Sequence, residues 1–483
     1  MTPEQAILWA MGVPLIGSIL ILITGRKPNV RETMTLLTAV SMFLVVGSIT
    51  HVVIGGGRPS VTLAELLPGL NITFTVEPLG MLFGLIASGL WIINSLYSIG
   101  YMRGNNEKNQ TRFYFFFAIA LASAVGVAFA GNMLTLFVCY EVLTICTYPL
   151  VTHSGKPEAI KSGRTYMGIL LSTSIGLQLL AIIWTWQATG TLDFREGGIL
   201  DGKVSGGVLG ILLFLYMYGI GKAALMPIHR WLPAAMVAPT PVSALLHAVA
   251  VVKAGVFTIL TVVVYVFGFD FLSMSGASVW LAWLAGFTIL ASSVVAITKD
   301  DLKARLAYST ISQLSYIVLG AALATAAAIE GATLHIFMHA SAKITLFFCA
   351  GAIYVNAHIK NISELDGLGP RMPLVFIAFF LGALSIIGIP PLGGSWSKFM
   401  LMAGAVDAGM PLMLAVLAVS SLLNVYYLLE PVTRGFFKPV NRDIHLTNHT
   451  LTILPPVITA LISIALFFTV DWLTPFTTLM VTP

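Results

Sequence analysis

The chain reads as an all-α integral membrane protein of about fourteen transmembrane helices, with two inverted five-helix repeats and broken seventh and twelfth helices. Three observations lead there. Of the 483 residues, 57% are hydrophobic and only 9% are charged, whereas a soluble domain carries about a quarter charged residues. Apolar stretches of about 20 residues, the length that crosses a bilayer as a helix, recur from end to end. A β-barrel would instead show short alternating segments. Finally, the basic residues between the stretches fall almost entirely on one side.

The stretches lie at 6–24, 33–54, 78–99, 113–130, 132–151, 166–188, 206–226, 242–267, 277–297, 304–325, 331–356, 373–390 continuing to about 406, 411–430 and 451–472. The first has no basic residue before it and no small-residue cleavage site, so it reads as a retained helix and not a signal peptide. With the N-terminus outside, the inside loops hold Arg26, Lys27, Arg31, Arg103, Lys108, Arg112, Lys156, Lys161, Arg164, Arg230, Lys299, Lys303, Arg305, Lys360, Arg371, Arg434, Lys438 and Arg442. The outside loops hold only Arg58, Arg195 and Lys203. One missed or invented helix would scramble this asymmetry, which is the expected sign of cytoplasmic loops. The formal charge of +5 is thereby a topology signal and calls for no nucleic acid. The longest loops, around 55–77 and 189–205, are short and Gly-rich. Cys139, Cys146 and Cys349 fall within apolar stretches and read as small buried hydrophobes.

Helix breaks divide the chain further. The seventh helix runs into Gly219, Gly221, Pro227 and Pro233, and the twelfth into Gly388, Pro390, Pro391, Gly393 and Gly394. Helices four to eight and nine to thirteen each form a set of five in which the fourth member is broken. Because five is odd, the second set enters from the opposite side, and matching broken helices in inverted repeats mark the ion-handling site of many transporters. The expected organisation is residues 1–112 as three N-terminal helices, 113–267 as the first repeat, 277–430 as the second and 431–483 as the last helix.

Five ionisable groups lie within the apolar stretches: Glu141, Lys222, Lys253, Lys343 and Lys398. Each costs roughly 2.5 to 3.5 kcal/mol at the bilayer centre, together more than about 12 kcal/mol, so they are expected to function. Glu141 needs a partner to set its charge. Lys222 precedes Pro227 by five residues, where the freed backbone carbonyl and two glycines allow a polar pocket; snorkelling to the interface is the competing reading. His247 and Lys253 are six residues apart, about 120° around the helix, so they could flank one aqueous path, although His247 could equally be a satisfied core histidine. His335, His339 and Lys343 recur every four residues as one polar stripe, and histidine titrates near neutrality. The His-x-x-x-His pair lacks carboxylate or cysteine ligands at matching spacing, so no metal is expected. Ser309, Ser312, Gln313 and Tyr316 share a face of the tenth helix and could hold water or simply join helices. Lys398 sits after the second break as Lys222 sits in the first. No phosphate-binding glycine loop, Cys-x-x-Cys set or nucleotide domain is present, and no cofactor is expected. Energy must come from an ion gradient or a partner protein.

The stretch Gly-Lys-Ala-Ala-Leu-Met-Pro-Ile-His-Arg-Trp-Leu-Pro at 221–233, followed by Ala-Pro-Thr-Pro-Val-Ser-Ala-Leu-Leu-His-Ala at 238–248, closely resembles the antiporter-like subunits of respiratory complex I, Mrp-type cation/proton antiporters and membrane-bound hydrogenases. So do Asp-Leu-Lys-Ala-Arg-Leu-Ala-Tyr-Ser-Thr-Ile-Ser-Gln-Leu-Ser-Tyr at 301–316 and His-Ala-Ser-Ala-Lys at 339–343. The resemblance implies that Glu141 pairs with Lys222 and that a relay continues through Lys253, His335 and His339 to Lys398. It also implies homologous and small membrane subunits as partners, a bacterial or archaeal cell membrane, and H+ with Na+ or K+ as the ions. Where many members have an acidic residue after Trp-Leu-Pro, this chain has Ala234. Lys398 places it with the members that carry lysine, not glutamate, on the twelfth helix. The long lateral C-terminal helix of the largest complex I member is not expected. The function expected is proton translocation within a larger assembly, the alternatives being a stand-alone cation or solute transporter and an inert scaffold.

Overall fold

The computed structural model describes residues 1–439 and 446–481, so Arg442 of the inside loops lies outside the described residues. Twelve of its helices are long and apolar enough to cross a membrane. They are α1 (Pro3–Ile23), α2 (Pro28–Ile54), α3 (Pro78–Gly104), α4 (Gln110–Ala128), α5 (Met133–Val151) and α6 (Pro157–Thr189), then α8 (Thr240–Phe267), α9 (Val279–Ile297), α10 (Leu302–Leu323), α11 (Ala326–Ala357), α13 (Pro411–Phe437) and α14 (Thr450–Phe468). The two shorter apolar helices, Gly206–Gly219 and Pro373–Ile387, supply the seventh and twelfth positions as α7 and α12a. A second half, α12b (Gly394–Asp407), follows the latter. The chain is thus a multi-pass helical membrane protein.

Several boundaries move. α6 begins at Pro157, nine residues before its apolar stretch, because proline suits a first turn and the polar opening Lys161–Arg164 remains helical outside the apolar core. α7 stops at Gly219 and not at 226. The loop at 55–77 contains a hairpin, β1 (Ser60–Leu67) with β2 (Leu70–Thr75), paired antiparallel. Its signal was the Pro68–Gly69 turn between β-branched residues, with Gly69 at φ +77°, and facing hydroxyls join Thr62 to Thr73. The hairpin docks on the start of α5, where Asn132 caps Thr135 N and donates to the Asn71 carbonyl.

Loop ends sort into two groups, as alternating spans require. At one end Arg31 and Arg103 clasp Glu32, and Arg305 and Arg434 clasp Glu430. At the other, Arg58 meets Glu77 and Glu196. α8 is wholly buried over its apolar window and α10 and α11 nearly so, whereas only about a third of α2, α6 and α13 is buried. The centre of the protein is therefore α8, α10 and α11, of which α8 carries Lys253 and α11 carries His339 and Lys343.

The two breaks are held by specific contacts. Below α7, the Trp231 indole donates to the Gly221 carbonyl at 2.9 Å and the Tyr218 hydroxyl to the Met226 carbonyl at 3.1 Å, so backbone groups freed by the break stay satisfied inside the membrane. A Cβ on Gly255 of α8 would lie 2.4 Å from the Lys222 carbonyl carbon. Only glycine lets this broken segment press onto α8. The second break is tied to α14 by Gly393 N donating to the Ser463 carbonyl at 3.0 Å.

Candidate functional site

Lys222 follows α7 in a short 3-10 turn and is fully buried. Its ammonium donates to the Tyr140 carbonyl at 2.8 Å and the Thr144 hydroxyl at 2.5 Å, and lies 3.1 Å from the centre of the Tyr140 ring. Tyr140 and Thr144 are four residues apart on α5 and share one face. Glu141 is turned about 100° away. No ion pair joins it to Lys222 among the described residues, and both its carboxylate oxygens lack a hydrogen bond. The pair stands open in this structure, with Glu141 on the same side of α5 as exposed Val138, Val142 and Ile145.

Across the centre, the Lys253 Nζ of α8 lies 2.7 Å from His339 Nδ1 of α11. Two bases in hydrogen-bond contact repel when both are charged, so the pair is suited to hold one proton between them. One turn away on α11, the ring of His335 is 5.8 Å from that of His339. His335 Nδ1 is 2.9 Å from the Ser397 hydroxyl, and its ring stacks on Tyr316 at 5.4 Å. Lys398, in the next position of α12b, donates to the Ile387 carbonyl at 3.0 Å and the Ser421 hydroxyl at 2.9 Å, and lies 4.8 Å from the Tyr316 ring centre. The second break thus presents Lys398 with a carbonyl, a hydroxyl and a tyrosine face, the same three kinds of group that hold Lys222. At its head, Gly388 adopts φ +90°, and a Cβ there would meet the Lys398 side chain at 2.6 Å.

The α11 stripe does not act as one surface. His335 turns to α12b, His339 to α8 and Lys343 to α10, where it donates to Ser309 at 2.6 Å. His247 lies in a π turn of α8, Leu245–Val249, which changes its angle to Lys253 from that of a regular helix. Both its ring nitrogens lack partners among the described residues, and it faces the Phe347 ring at 4.6 Å. Of the breaking residues, Gly219 ends α7 against the π turn of α6, where a Cβ would come 2.4 Å from Gln178 N; Gly221 and Pro227 flank the Lys222 turn, and Pro390 and Pro391 lie between α12a and α12b. A cavity of about 560 Å3 opens between the loops at one end, lined by Lys108, His153, Lys156, Lys303 and Lys360 among others. Lys303 closes its floor by donating to the Ala238 carbonyl at 2.6 Å.

The sequence reading missed Tyr140, Thr144, Ser397, Ser421 and Tyr427. All five lie one helical turn or less from an ionisable group or from another buried hydroxyl, and that spacing was the available signal. Ser397, adjacent to Lys398, was the plainest.

Twelve membrane-spanning helices and two shorter apolar ones, with lysines at two mid-chain breaks and buried basic groups between them, define a multi-pass membrane protein of antiporter-like architecture. The chain belongs to the NADH:quinone oxidoreductase/Mrp antiporter transmembrane family, whose model matches residues 130–424. It is 32% identical over 376 residues to NADH-quinone oxidoreductase subunit N of Desulforudis audaxviator, covering 77% of this chain and 74% of that protein. It is 31% identical over 347 residues to NAD(P)H-quinone oxidoreductase chain 5 of Synechocystis sp., covering 68% of this chain but only 49% of that protein. It therefore spans about half the length of such chain 5 relatives. In fold it is similar to a chain of the Mrp complex from Dietzia sp. DQ12-45-1b, with a TM-score of 0.87, 21% identity and coverage of 100% of this chain and 97% of that one. A chain of the membrane-bound sulfane sulfur reductase, an archaeal respiratory complex, also gives a TM-score of 0.87 at 21% identity, over 99% of this chain and 98% of that one.

Proposed function

We propose that this protein translocates protons as an antiporter-like subunit of a multisubunit membrane complex, along a buried line from Glu141 through Lys222, Lys253, His339 and His335 to Lys398. The observation that carries the reading is the Lys253–His339 contact of 2.7 Å at the fully buried centre, continued by His335 and Ser397 toward Lys398. Uncompensated basic groups in such a place are costly unless used. Lys343 and His247 stand beside this line as branches. The like-for-like cradles of Lys222 and Lys398 support the inverted-repeat organisation, with 113–267 and 277–430 as its halves. Partners are homologous antiporter-like subunits and small membrane subunits, and the family leaves two kinds of assembly: an Mrp-type exchanger of H+ for Na+ or K+, and a redox-driven pump. Which one holds this chain is read from the subunits that co-purify in mild detergent. The clustering of basic residues supports an N-terminus outside a bacterial or archaeal cell membrane.

The test is proton translocation by the assembled complex in proteoliposomes. Glu141→Ala, Lys222→Ala and Lys253→Ala should each abolish it while assembly persists; wild-type rates in all three would sink the proposal.

A further inference from the structure

The line just described does not use Lys343, yet that side chain is fully buried and holds a hydroxyl at 2.6 Å. From it a second series of side chains can be followed. Ser309 Oγ of α10, contacted by Lys343, also receives the Tyr427 hydroxyl of α13 at 3.1 Å. Ser293 of α9 stands beside the same hydroxyl, 3.0 Å from Ser312 and 3.4 Å from Ser420. Ser420 and Ser421 both adjoin the Tyr316 hydroxyl, and Ser421 accepts from Lys398 at 2.9 Å. Ser309, Ser293, Ser420, Tyr316 and Tyr427 are all fully buried. The series begins on one lysine, ends on another and contains only hydroxyls between them.

Hydroxyls placed merely to fasten a helix donate to a carbonyl three or four residues back in their own helix, as Thr310 does to Leu306. Among the described hydrogen bonds Ser309 has no such bond and meets only Lys343 and Tyr427, whereas Ser293 also donates to the Ile289 carbonyl at 2.8 Å and must turn from it to pass a proton on. Tyr427 has one proton and two acceptors, Ser309 and the Asn424 amide oxygen. That choice permits reversal. With Lys343 charged, its ammonium donates to Ser309, Ser309 donates to Tyr427, and Tyr427 donates to Asn424. With Lys343 neutral, Tyr427 donates to Ser309 and Ser309 donates to the free amine.

We propose, building on the reading above, that Ser309, Tyr427, Ser293, Ser420, Tyr316 and Ser421 form a hydroxyl wire that carries protons between Lys343 and Lys398, parallel to the His339–His335 route. A proton leaving the Lys343 ammonium is taken by Ser309 Oγ as that oxygen releases its own to Tyr427. Each following hydroxyl accepts one proton and gives one up, and the neutral Lys398 amine receives the last. One N–H bond breaks, one forms, and every intervening oxygen keeps its count. The hydroxyls then rotate back, Tyr427 by way of Asn424.

The experiment measures proton translocation with a pH-sensitive dye in proteoliposomes of the assembled complex under an imposed gradient. Tyr427→Phe and Ser309→Ala should each slow it about twofold and not abolish it, because the parallel His339–His335 route remains. Ser309→Thr, which keeps the hydroxyl, should restore it. Ser309→Ala combined with Ser420→Ala should be no slower than either alone, because both interrupt one wire, whereas unrelated packing defects that far apart would multiply. This pair decides the matter if Tyr427→Phe does not assemble. Wild-type rates in Ser309→Ala and Ser420→Ala, or multiplied losses in the double variant, would overturn the wire. Lys253→Ala separates the two proposals: if it pumps normally the main line fails, and if it is dead while the serine variants pump normally only the wire fails.

Discussion

At the scale of single residues, Lys222 and Lys398 are each held by a backbone carbonyl, a hydroxyl and a tyrosine ring, with no carboxylate in contact. A carboxylate at hydrogen-bond distance would fix the charge of each lysine, while neutral acceptors stabilise the ammonium and release it readily. Thr144→Val keeps the shape and removes the shorter hydrogen bond. It leaves a buried donor under-satisfied, at a cost of about 1–3 kcal/mol, and should lower the translocation rate about tenfold or more in proteoliposomes; an unchanged rate would show that Tyr140 alone positions the lysine. Outside the spans, His153 just beyond α5 is buried, and its pKa is pushed down to about 4, first by burial and then by the neighbouring Arg112 charge. The folded value lies below the unfolded one of about 6.5. The unfolded chain therefore binds more protons between those values, and stability is lost as the pH falls from about 6.5 toward 4. His153→Gln should flatten that part of the thermal-stability profile in detergent, and an unaltered slope would assign it to other groups. The lysines and histidines of the site were legible in the sequence because each is anomalous in an apolar stretch. Ser309 and Tyr316 were legible as a shared polar face, but Tyr140, Thr144, Ser397 and Ser421 were not singled out, because hydroxyls are ordinary in membrane helices.

At the scale of elements, the breaks decide where the charges sit. A regular α7 running to 226 would have placed Lys222 on its flank; ending it at Gly219 turns the lysine into a short segment pressed on α8. Gly255→Ala puts a methyl 2.4 Å from the Lys222 carbonyl carbon, a backbone clash of about 1–3 kcal/mol. It should lower the detergent melting temperature and slow translocation together, and full stability with full activity would show that the segment can withdraw from α8. The glycines and prolines predicted both breaks, since proline removes a helix hydrogen bond and glycine weakens a helix by its backbone freedom. They could not predict the π turn that reorients His247, because that depends on what packs against α8 and not on the residues of the turn.

Over the whole molecule, the proposed line runs through α5, the α7 break, α8, α11 and α12b, with Glu141 at its α5 end. Beside Glu141, whose carboxylate oxygens are themselves buried, Ile145 is 58% exposed and Val142 43% exposed, an apolar face available to a neighbouring subunit. A photo-crosslinking residue at Ile145 should capture a protein subunit in native membranes; crosslinks to lipid alone would remove the partner from this face. The sequence by itself determined the helical membrane class and the ionisable residues, because hydrophobic length and the cost of buried charge are properties of local composition. Only the tertiary structure decided that Glu141 stands open while Lys222 rests on Tyr140 and Thr144, that the α11 stripe divides toward three different helices, and that Lys343 meets a series of hydroxyls. Those outcomes depend on how neighbouring helices rotate about their axes as they pack, and a single stretch of sequence does not contain that angle.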